Sequence, residues 1–554
     1  REIEAGQRAA IYFPERGAGE ESDLLVARND EDVAYRILDE GVSALMELGE
    51  VHCTDRFKSR NIRRNVKIAV GVSVKSEIMD LEISSDNLST QDLLDILNSY
   101  RRKKKYHRLK NGDFVDITDE SIAELSSMMD TMHISPKEFA EGKMHLPLYR
   151  AIYLDKMLES CQEIYASRDH YFRTLVKEFK TVGDSDYELP EQLKKVLRNY
   201  QKYGYKWLRV LAANHFGGIL ADDMGLGKTA QVISVLLATR QEAGRPSLIV
   251  CPASLVYNWQ AEFGKFAPEM RTLVIAGMQS ERKELLTRVK REISAQPATG
   301  TQPAITKQSA ATTLPAATGT PTAPLPYDVL ITSYDLLKRD IAEYEDMQFG
   351  YQVIDEAQYI KTHTTAAAKA VKVIKADHRF ALTGTPIENR LSELWSIFDY
   401  LMPGFLYSYD VFKKELETPI VKSKDEAATK RLKRMVSPFI LRRLKKDVLK
   451  DLPEKMEELQ YAHMEETQQQ LYDAQVAHMK EMIGAQDEES FKKNKIQILA
   501  ELMHIRQICC DPSLMVDNYK GESAKRIACL ELIESAIEGE HKMLVFSQFT
   551  TMLE

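Results

Sequence analysis

Long apolar runs are missing from this sequence: none of its 554 residues lies in a stretch apolar for long enough to cross a bilayer. The first residues, REIEAGQRAA, have neither an apolar signal core nor a starting Met, and they read as a processed or excised end. Cysteine is scarce: Cys53, Cys161, Cys251, Cys509, Cys510 and Cys529 are the whole set, and no two are spaced C-x-x-C. That spacing indicates neither a zinc site nor a redox motif. Sparse, unpatterned cysteine suits a reducing cytosol, so a cytoplasmic location is expected. An excess of positive charge is missing as well. The net charge of −8 argues against a protein coated in basic surface. It leaves room for a local basic groove, which is all that nucleic-acid binding needs. What remains is 44% hydrophobic and 29% charged residues, the composition of a globular chain, with a length that suits three or four domains.

Along the chain, residues 1–150 mix short alternating strands, such as VKIAVGVSV (66–74), with polar helices. The basic run Arg101, Arg102, Lys103, Lys104 and Lys105 precedes a turn at Asn111-Gly112-Asp113. It reads equally as a solvated helix end or as a DNA contact. Residues 151–190 read as a helical connector. From about 190 the pattern changes to apolar strands alternating with helices: GGIL (217–220), SLIVC (247–251), TLVIAG (272–277), DVLITS (328–333), YQVID (351–355) and RFALTG (379–384). Continuous apolar strands separated by helices predict a parallel sheet covered on both faces. Residues 294–326, rich in Ala, Thr and Pro, read as a disordered surface insertion. The stretch 405–535 reads as mostly helical, and KMLVFS (542–547) as a further strand.

Three stretches carry chemistry. ILADDMGLGKTAQVISVL (219–236) ends its loop in Gly227-Lys228-Thr229, but Asp222 stands where the usual G-x-x-x-x-G-K-[ST] pattern has its first glycine. The loop lies between an apolar strand and a helix, as a phosphate loop requires. Gly225 and Gly227 can take backbone angles closed to other residues. The N–H groups from Met224 through Leu226 to Ala230 would then point at phosphates. Lys228 would reach the β- and γ-phosphates of a nucleotide, and Thr229 would hold Mg²⁺. VIDEAQ (353–358) puts two carboxylates at the end of a strand, 127 residues after Lys228. Strand ends of this kind face the ligand crevice in open α/β sheets. Asp355 would bind Mg²⁺, and Glu356 would polarise the attacking water. LTGTPIEN (382–389) again follows a strand and offers the hydroxyls of Thr383 and Thr385, flanking Gly384.

In their order and spacing these stretches resemble a bacterial SWI/SNF-type DNA-dependent ATPase of helicase superfamily two. LRNYQKYGYKWL (197–208) is similar to the adenine-reading segment, with Gln201 as the adenine contact. DDMGLGKT resembles motif I, whose loop in this superfamily does without the first glycine; the family usually has D-E-M-G-L-G-K-T, so Asp223 departs from it. CPASLVYNWQAEFGKF (251–266), ITSYDLL (331–337), DEAQ and LTGTPIENRLSELWSIFDYLMPG (382–404) resemble motifs Ia, Ib, II and III. The resemblance gives Gln358, Thr383, Gly384 and Thr385 a coupling role between motifs. FILRRLKKDVLKDLPEK (439–455), IRQICCDPSL (505–514) and LVFSQFTTML (544–553) resemble blocks that separate this family from DEAD-box relatives. Residues 30–150 resemble the SNF helicase-associated domain of bacterial members.

The resemblance implies an α/β fold: a RecA-like parallel sheet, the P-loop NTPase lobe, with helical insertions. It would be preceded by an α+β associated domain and followed by only the start of a second RecA-like lobe. The expected divisions are 1–150, 151–190, 191–410, 411–500 and 501–554. The sequence stops within the stretch resembling motif IV, so the arginines of motif VI are expected to be lacking and turnover by these residues alone to be weak. Duplex DNA is the implied substrate, with Asn258, Ser333 and Tyr334 as phosphate contacts. Trp259, at helical spacing from Phe263 and Phe266, reads as core. The stretch 431–450 holds eight basic residues against Asp447; it reads as a phosphate-binding patch or as a solvated helix face. A monomer in the cytoplasm, associated with the nucleoid, off the membrane, with a protein partner for the N-terminal region, completes the expectation. An RNA helicase and a non-catalytic docking module are the alternatives.

Overall fold

The computed structural model describes residues 2–13, 15–16, 25–26, 31–75, 78–161, 163–240, 244–294, 326–384, 390–449, 456–484 and 495–553. The chain forms two compact units, Arg1–Lys450 and Asp451–Glu554, so the break falls inside the stretch expected as one segment at 411–500. The insertion expected at 294–326 lies almost wholly outside the described residues. No helix among the described residues is long and apolar enough to cross a membrane.

The N-terminal region carries a four-stranded sheet built from β1 (Ile68–Lys75), β2 (Ile78–Ser85), β3 (Lys143–Pro147) and β4 (Ile164–Arg168), in the order β3-β2-β1-β4. β1 and β2 pair antiparallel, while β4 runs parallel to β1. Ile68, Val70, Val72 and Val74 turn inward and their neighbours do not, because successive side chains on a strand point to opposite faces. The helices Thr90–Arg101 and Glu120–Met132 carry the matching apolar faces. Ser89 and Asp92 form a reciprocal cap at the start of the first.

The second sheet has seven strands: β5 (Gly218–Leu220), β6 (Ser247–Cys251), β7 (Thr272–Val274), β8 (Val329–Ser333), β9 (Gln348–Ile354), β10 (Lys375–Leu382) and β11 (Ile440–Leu441). Their order is β7-β8-β6-β9-β10-β5-β11, and every pair is parallel. All five residues of β6 and of β8 are buried. Each Val, Leu or Ile fully withdrawn from water contributes roughly 1.5–3 kcal/mol. A sheet buried on both faces is therefore what such uninterrupted apolar runs stabilise. The register sets Leu220 beside Leu382 and Ile354 beside Ala381. The segments that follow β5, β9 and β10 thus emerge side by side at one edge, the carboxyl ends of the strands.

Two elements differ from the sequence reading. The stretch expected to be helical contains β11, a two-residue strand that pairs with β5 through Ile219↔Ile440 and Leu220↔Leu441. So short a strand has no periodicity to detect, and only its partner defines it. In the second unit, helices Glu466–Gly484, Lys495–Cys510 and Ala524–Glu538 match the helical expectation. The strand expected at 542–547 has no ladder: Leu544 is 83% and Phe546 87% exposed. A short apolar run such as Met543–Phe546 can be extended, but it forms a strand only against a neighbour.

Candidate active site

The loop after β5 is shaped by two glycines. Gly225 (φ +82°) and Gly227 (φ +73°) both sit in the left-handed region that a side chain disfavours. A Cβ at Gly227 would also collide with the Gln201 amide. The helix Lys228–Ala238 starts directly after Gly227 with no side-chain cap, so its first N–H groups are offered outward. Leu226 is buried, and its carbonyl accepts from the Tyr200 hydroxyl at 3.2 Å and the Gln201 amide at 3.1 Å. Met224 is exposed and Ala230 buried. Gln201 also accepts from Arg198 N at 2.9 Å, so its amide is engaged at both ends beside the loop.

Lys228 donates from Nζ to the Asp222 carbonyl at 2.7 Å and, more distantly, to that of Asp223 at 3.5 Å. Burial pulls its pKa below the ordinary value, opposed by the fields of Glu356, Asp355, Asp222 and Asp223. The strand order sets β5 and β9 on either side of β10, so Lys228 and the carboxylates after β9 lie at the same edge of the sheet, in keeping with those opposing fields. Thr229, partly exposed in the first turn of the helix, flanks Lys228.

Asp355 is buried, and burial raises its pKa. Two donors and one cation oppose that rise. Trp259 Nε1–H donates to Oδ2 at 2.9 Å, the Glu356 N–H donates to Oδ1 at 2.9 Å, and Lys228 supplies positive charge. Glu356 has left-handed backbone angles (φ 50°, ψ 59°), a sparsely populated conformation for a side chain of its size. Its Oε2 accepts from Gln358 Nε2 at 2.7 Å, and Gln358 Oε1 accepts from the Thr383 hydroxyl at 3.1 Å. This chain of bonds joins the segment after β9 to the segment after β10. Gly384 lies against Met224 of the loop, whose Cγ would be 3.7 Å from a Cβ there. Thr385 lies outside the described residues.

Trp259 is core, as its spacing indicated, at 1% exposure. Its donation to Asp355 is a function that the spacing could not reveal, because it requires knowing what the indole edge meets. Of the expected DNA contacts, Asn258 is exposed. Ser333 and Tyr334 are not available to a phosphate: they are 2% and 3% exposed. Ser333 Oγ accepts from Leu336 N as a helix cap, and the Tyr334 hydroxyl donates to the Asp355 carbonyl at 2.7 Å. The apolar side of a strand-end tyrosine outweighed its hydroxyl, which found a partner inside.

Asp222, at the place of the absent glycine, is fully buried. The Arg443 guanidinium meets it with two donors, Nε to Oδ1 at 2.8 Å and Nη2 to Oδ2. Arg443 is thus drawn into the loop's support and away from a solvated face. The basic stretch as a whole is divided, since Arg442, Lys445 and Lys446 stay exposed.

The loop fits a polyphosphate: left-handed glycines, an uncapped helix start and a lysine at its foot are the donors that such an anion needs. Among the described residues no group of three or more His, Cys, Asp or Glu could hold a metal ion by itself. Thr229 and Asp355 instead fit magnesium, which characteristically takes one or two protein oxygens and completes its shell with phosphate and water.

Comparison with known proteins adds sequence relatives. Residues 200–514 match the SNF2-related domain, and residues 12–190 match the domain described as bacterial SNF2 helicase associated. An uncharacterized ATP-dependent helicase of Mycoplasma pneumoniae is 32% identical over 92% of this chain and 45% of its own length. The uncharacterized ATP-dependent helicase MG018 of Mycoplasma genitalium is 39% identical over 65% of this chain and 31% of its own. The solved Sulfolobus solfataricus SWI2/SNF2 ATPase core in complex with dsDNA is 36% identical, covering 64% of this chain and 68% of that one, at a TM-score of 0.38. The chain therefore spans less than half the length of the two curated relatives.

Proposed function

This chain belongs to the SNF2 family of ATP-dependent helicases, and from that premise we propose that it supplies the ATP-binding lobe of a motor moving along double-stranded DNA. The observation that supports the reading is that the segments bearing Lys228, Asp355 and Glu356 follow β5 and β9 at the carboxyl ends of one parallel sheet. In this proposal the loop Met224–Ala230 and the helix start hold the phosphates of ATP, with Gln201 at the adenine. Lys228 leaves the Asp222 carbonyl for the β- and γ-phosphates. Thr229 and Asp355 hold magnesium, which when bound neutralises charge on the phosphates. Glu356 orients the attacking water, and the bonds from Glu356 through Gln358 to Thr383 carry its position to the segment after β10.

The DNA surface is proposed at the same edge. Asn258 is exposed there. An open pocket of about 480 Å³ is lined by Gly277, Met278, Gln279, Arg282 and Arg339. Arg282 is spent on Asp340, at 2.6 Å and 2.9 Å, and exposed Arg339 is the cation left for a backbone phosphate. The location proposed is cytoplasmic, on the nucleoid, and the activity of the whole protein, its DNA dependence included, belongs to the proposal.

The test is ATP hydrolysis by the whole protein, since residues 1–554 alone are expected to turn over weakly, with duplex DNA, single-stranded DNA or RNA added and triplex displacement as the readout of translocation. Duplex DNA is expected to stimulate hydrolysis on the order of tenfold or more and to do so less as salt rises. Stimulation by RNA with none by duplex DNA would make the chain an RNA helicase. No response to any nucleic acid would leave a docking module.

A further inference from the structure

We propose that Arg443 is a positioning residue for nucleotide binding. Acting through Asp222, it would set the phosphate loop and the place of Lys228, doing across 221 residues of sequence what a glycine does locally in the commoner loop pattern. The inference rests on the nucleotide reading of the loop given above.

A carboxylate as buried as Asp222 is costly unless a cation meets it. Arg443 meets it with a two-pronged contact that a lysine cannot reproduce. The same guanidinium donates to Gln231 Oε1 at 2.8 Å and to the Tyr200 carbonyl. Gln231 in turn donates to Asp222 Oδ2 at 3.2 Å and to the Gly227 carbonyl at 3.3 Å. One guanidinium therefore governs the start of the loop, the first turns of the helix after it, and the helix Asn199–Ala213 that carries Gln201. The site is built for it. Gly204 on that helix has no room for a Cβ, which would collide with Gln231 Oε1 and come 3.0 Å from Arg443 Nη2.

The backbone follows the side chains. Ala221 N donates to the Leu441 carbonyl at 2.7 Å, Asp223 N donates to the Arg443 carbonyl at 3.0 Å, and Lys445 N donates to Asp223 Oδ2 at 2.9 Å. The strand β11 thus extends as a brace along the loop. The carbonyl that accepts from Lys228 Nζ is that of Asp222 itself. Fixing the Asp222 side chain fixes this carbonyl, and with it the position from which the ammonium moves to the phosphates.

The experiment measures equilibrium binding of a fluorescent ATP analogue with Mg²⁺ to the full chain, and kcat and KM for hydrolysis, for wild type, Arg443→Gln, Arg443→Lys and the double variant Asp222→Gly/Arg443→Gln. All are read well below the unfolding midpoint of the weakest variant. Arg443→Gln is expected to weaken binding on the order of tenfold and to raise KM more than it lowers kcat, as loss of a buried charge-assisted pair would. Arg443→Lys should fall between. The double variant recreates the glycine pattern and removes the orphaned acid, so its binding should return to within about threefold of wild type, a large coupling between touching sites. Equal affinity in every folded variant, with only the unfolding midpoint lowered, would overturn the proposal and leave Arg443 a structural residue. If Arg443→Gln does not fold, Arg443→Lys and the double variant carry the same comparison. Wild-type protein that fails to bind the analogue would overturn the nucleotide reading first, and this inference with it.

Discussion

The four-stranded sheet of the N-terminal region and the seven-stranded sheet beyond it bury their strands differently. Along β1 every second residue is buried; along β6 and β8 all five are. A sheet covered on one side keeps a face for charge, such as Glu82 on β2. A sheet covered on both sides has only its strand ends to offer, and there the polar groups accumulate: Asp222 and Lys228 after β5, Asp355 and Glu356 after β9, Thr383 after β10. Left-handed backbone occurs there in Gly225, Gly227 and Glu356, as it also does in the N-terminal region at Lys103, Gly112, His133 and Gly142. The comparison teaches that in this chain a charge matters according to its place on a sheet, and that substitutions of identical chemistry should have unequal results.

The sharpest way to break that contrast is a matched pair. Glu356→Gln at the strand end is expected to lower ATP hydrolysis on the order of 10²–10³-fold without lowering the unfolding midpoint. Glu82→Gln on the open face of β2 should leave hydrolysis within about twofold. Comparable losses from both in steady-state assays would abolish the distinction between face and edge.

A second prediction separates the two ends of β10. His378, in the first half of the strand, stacks on His215 and lies tilted against Tyr351, and burial pulls its pKa down from 6.5 to about 4. The folded state therefore holds this imidazole neutral where the unfolded chain would protonate it. Its contribution is present above about pH 6.5 and is lost as the pH falls towards 4. It amounts to roughly 3 kcal/mol at about 1.4 kcal/mol per pH unit. Denaturant titrations across that window should show His378→Gln losing less stability on acidification than wild type. Parallel curves would mean that His378 titrates as it does in water.

The smallest effect sharpens the role of the indole behind the acid. Trp259→Phe keeps a buried ring but removes the donor to Asp355 Oδ2. It should cost about 1–3 kcal/mol of support for that carboxylate. A rise in the magnesium concentration needed for half-maximal hydrolysis is the measurement; an unchanged requirement would return Trp259 to packing alone.

Much of the second sheet was legible because its signals are local. SLIVC became β6 (Ser247–Cys251), while GGIL, TLVIAG, DVLITS, YQVID and RFALTG each located a strand to within a few residues. The loop glycines were legible because no other residue takes their angles freely. What escaped were partners remote in sequence. Tyr334 was read by its hydroxyl, and the fold buried it on the Asp355 carbonyl. Trp259 was read by its helical spacing, and its N–H donates to Asp355. Ile440 and Leu441 were read within a helical stretch, and β5 made them a strand.

The sequence by itself determined that a glycine-bent loop, a pair of acids and a threonine turn would each follow an apolar strand, because strand period and glycine freedom act over a few residues. Only the tertiary structure decided that these strands lie in the order β9-β10-β5 with β11 beyond, and that Arg443 closes on Asp222 where a glycine was missing. Those pairings depend on which surfaces meet when both faces of the sheet are buried, and no short window of sequence contains both partners.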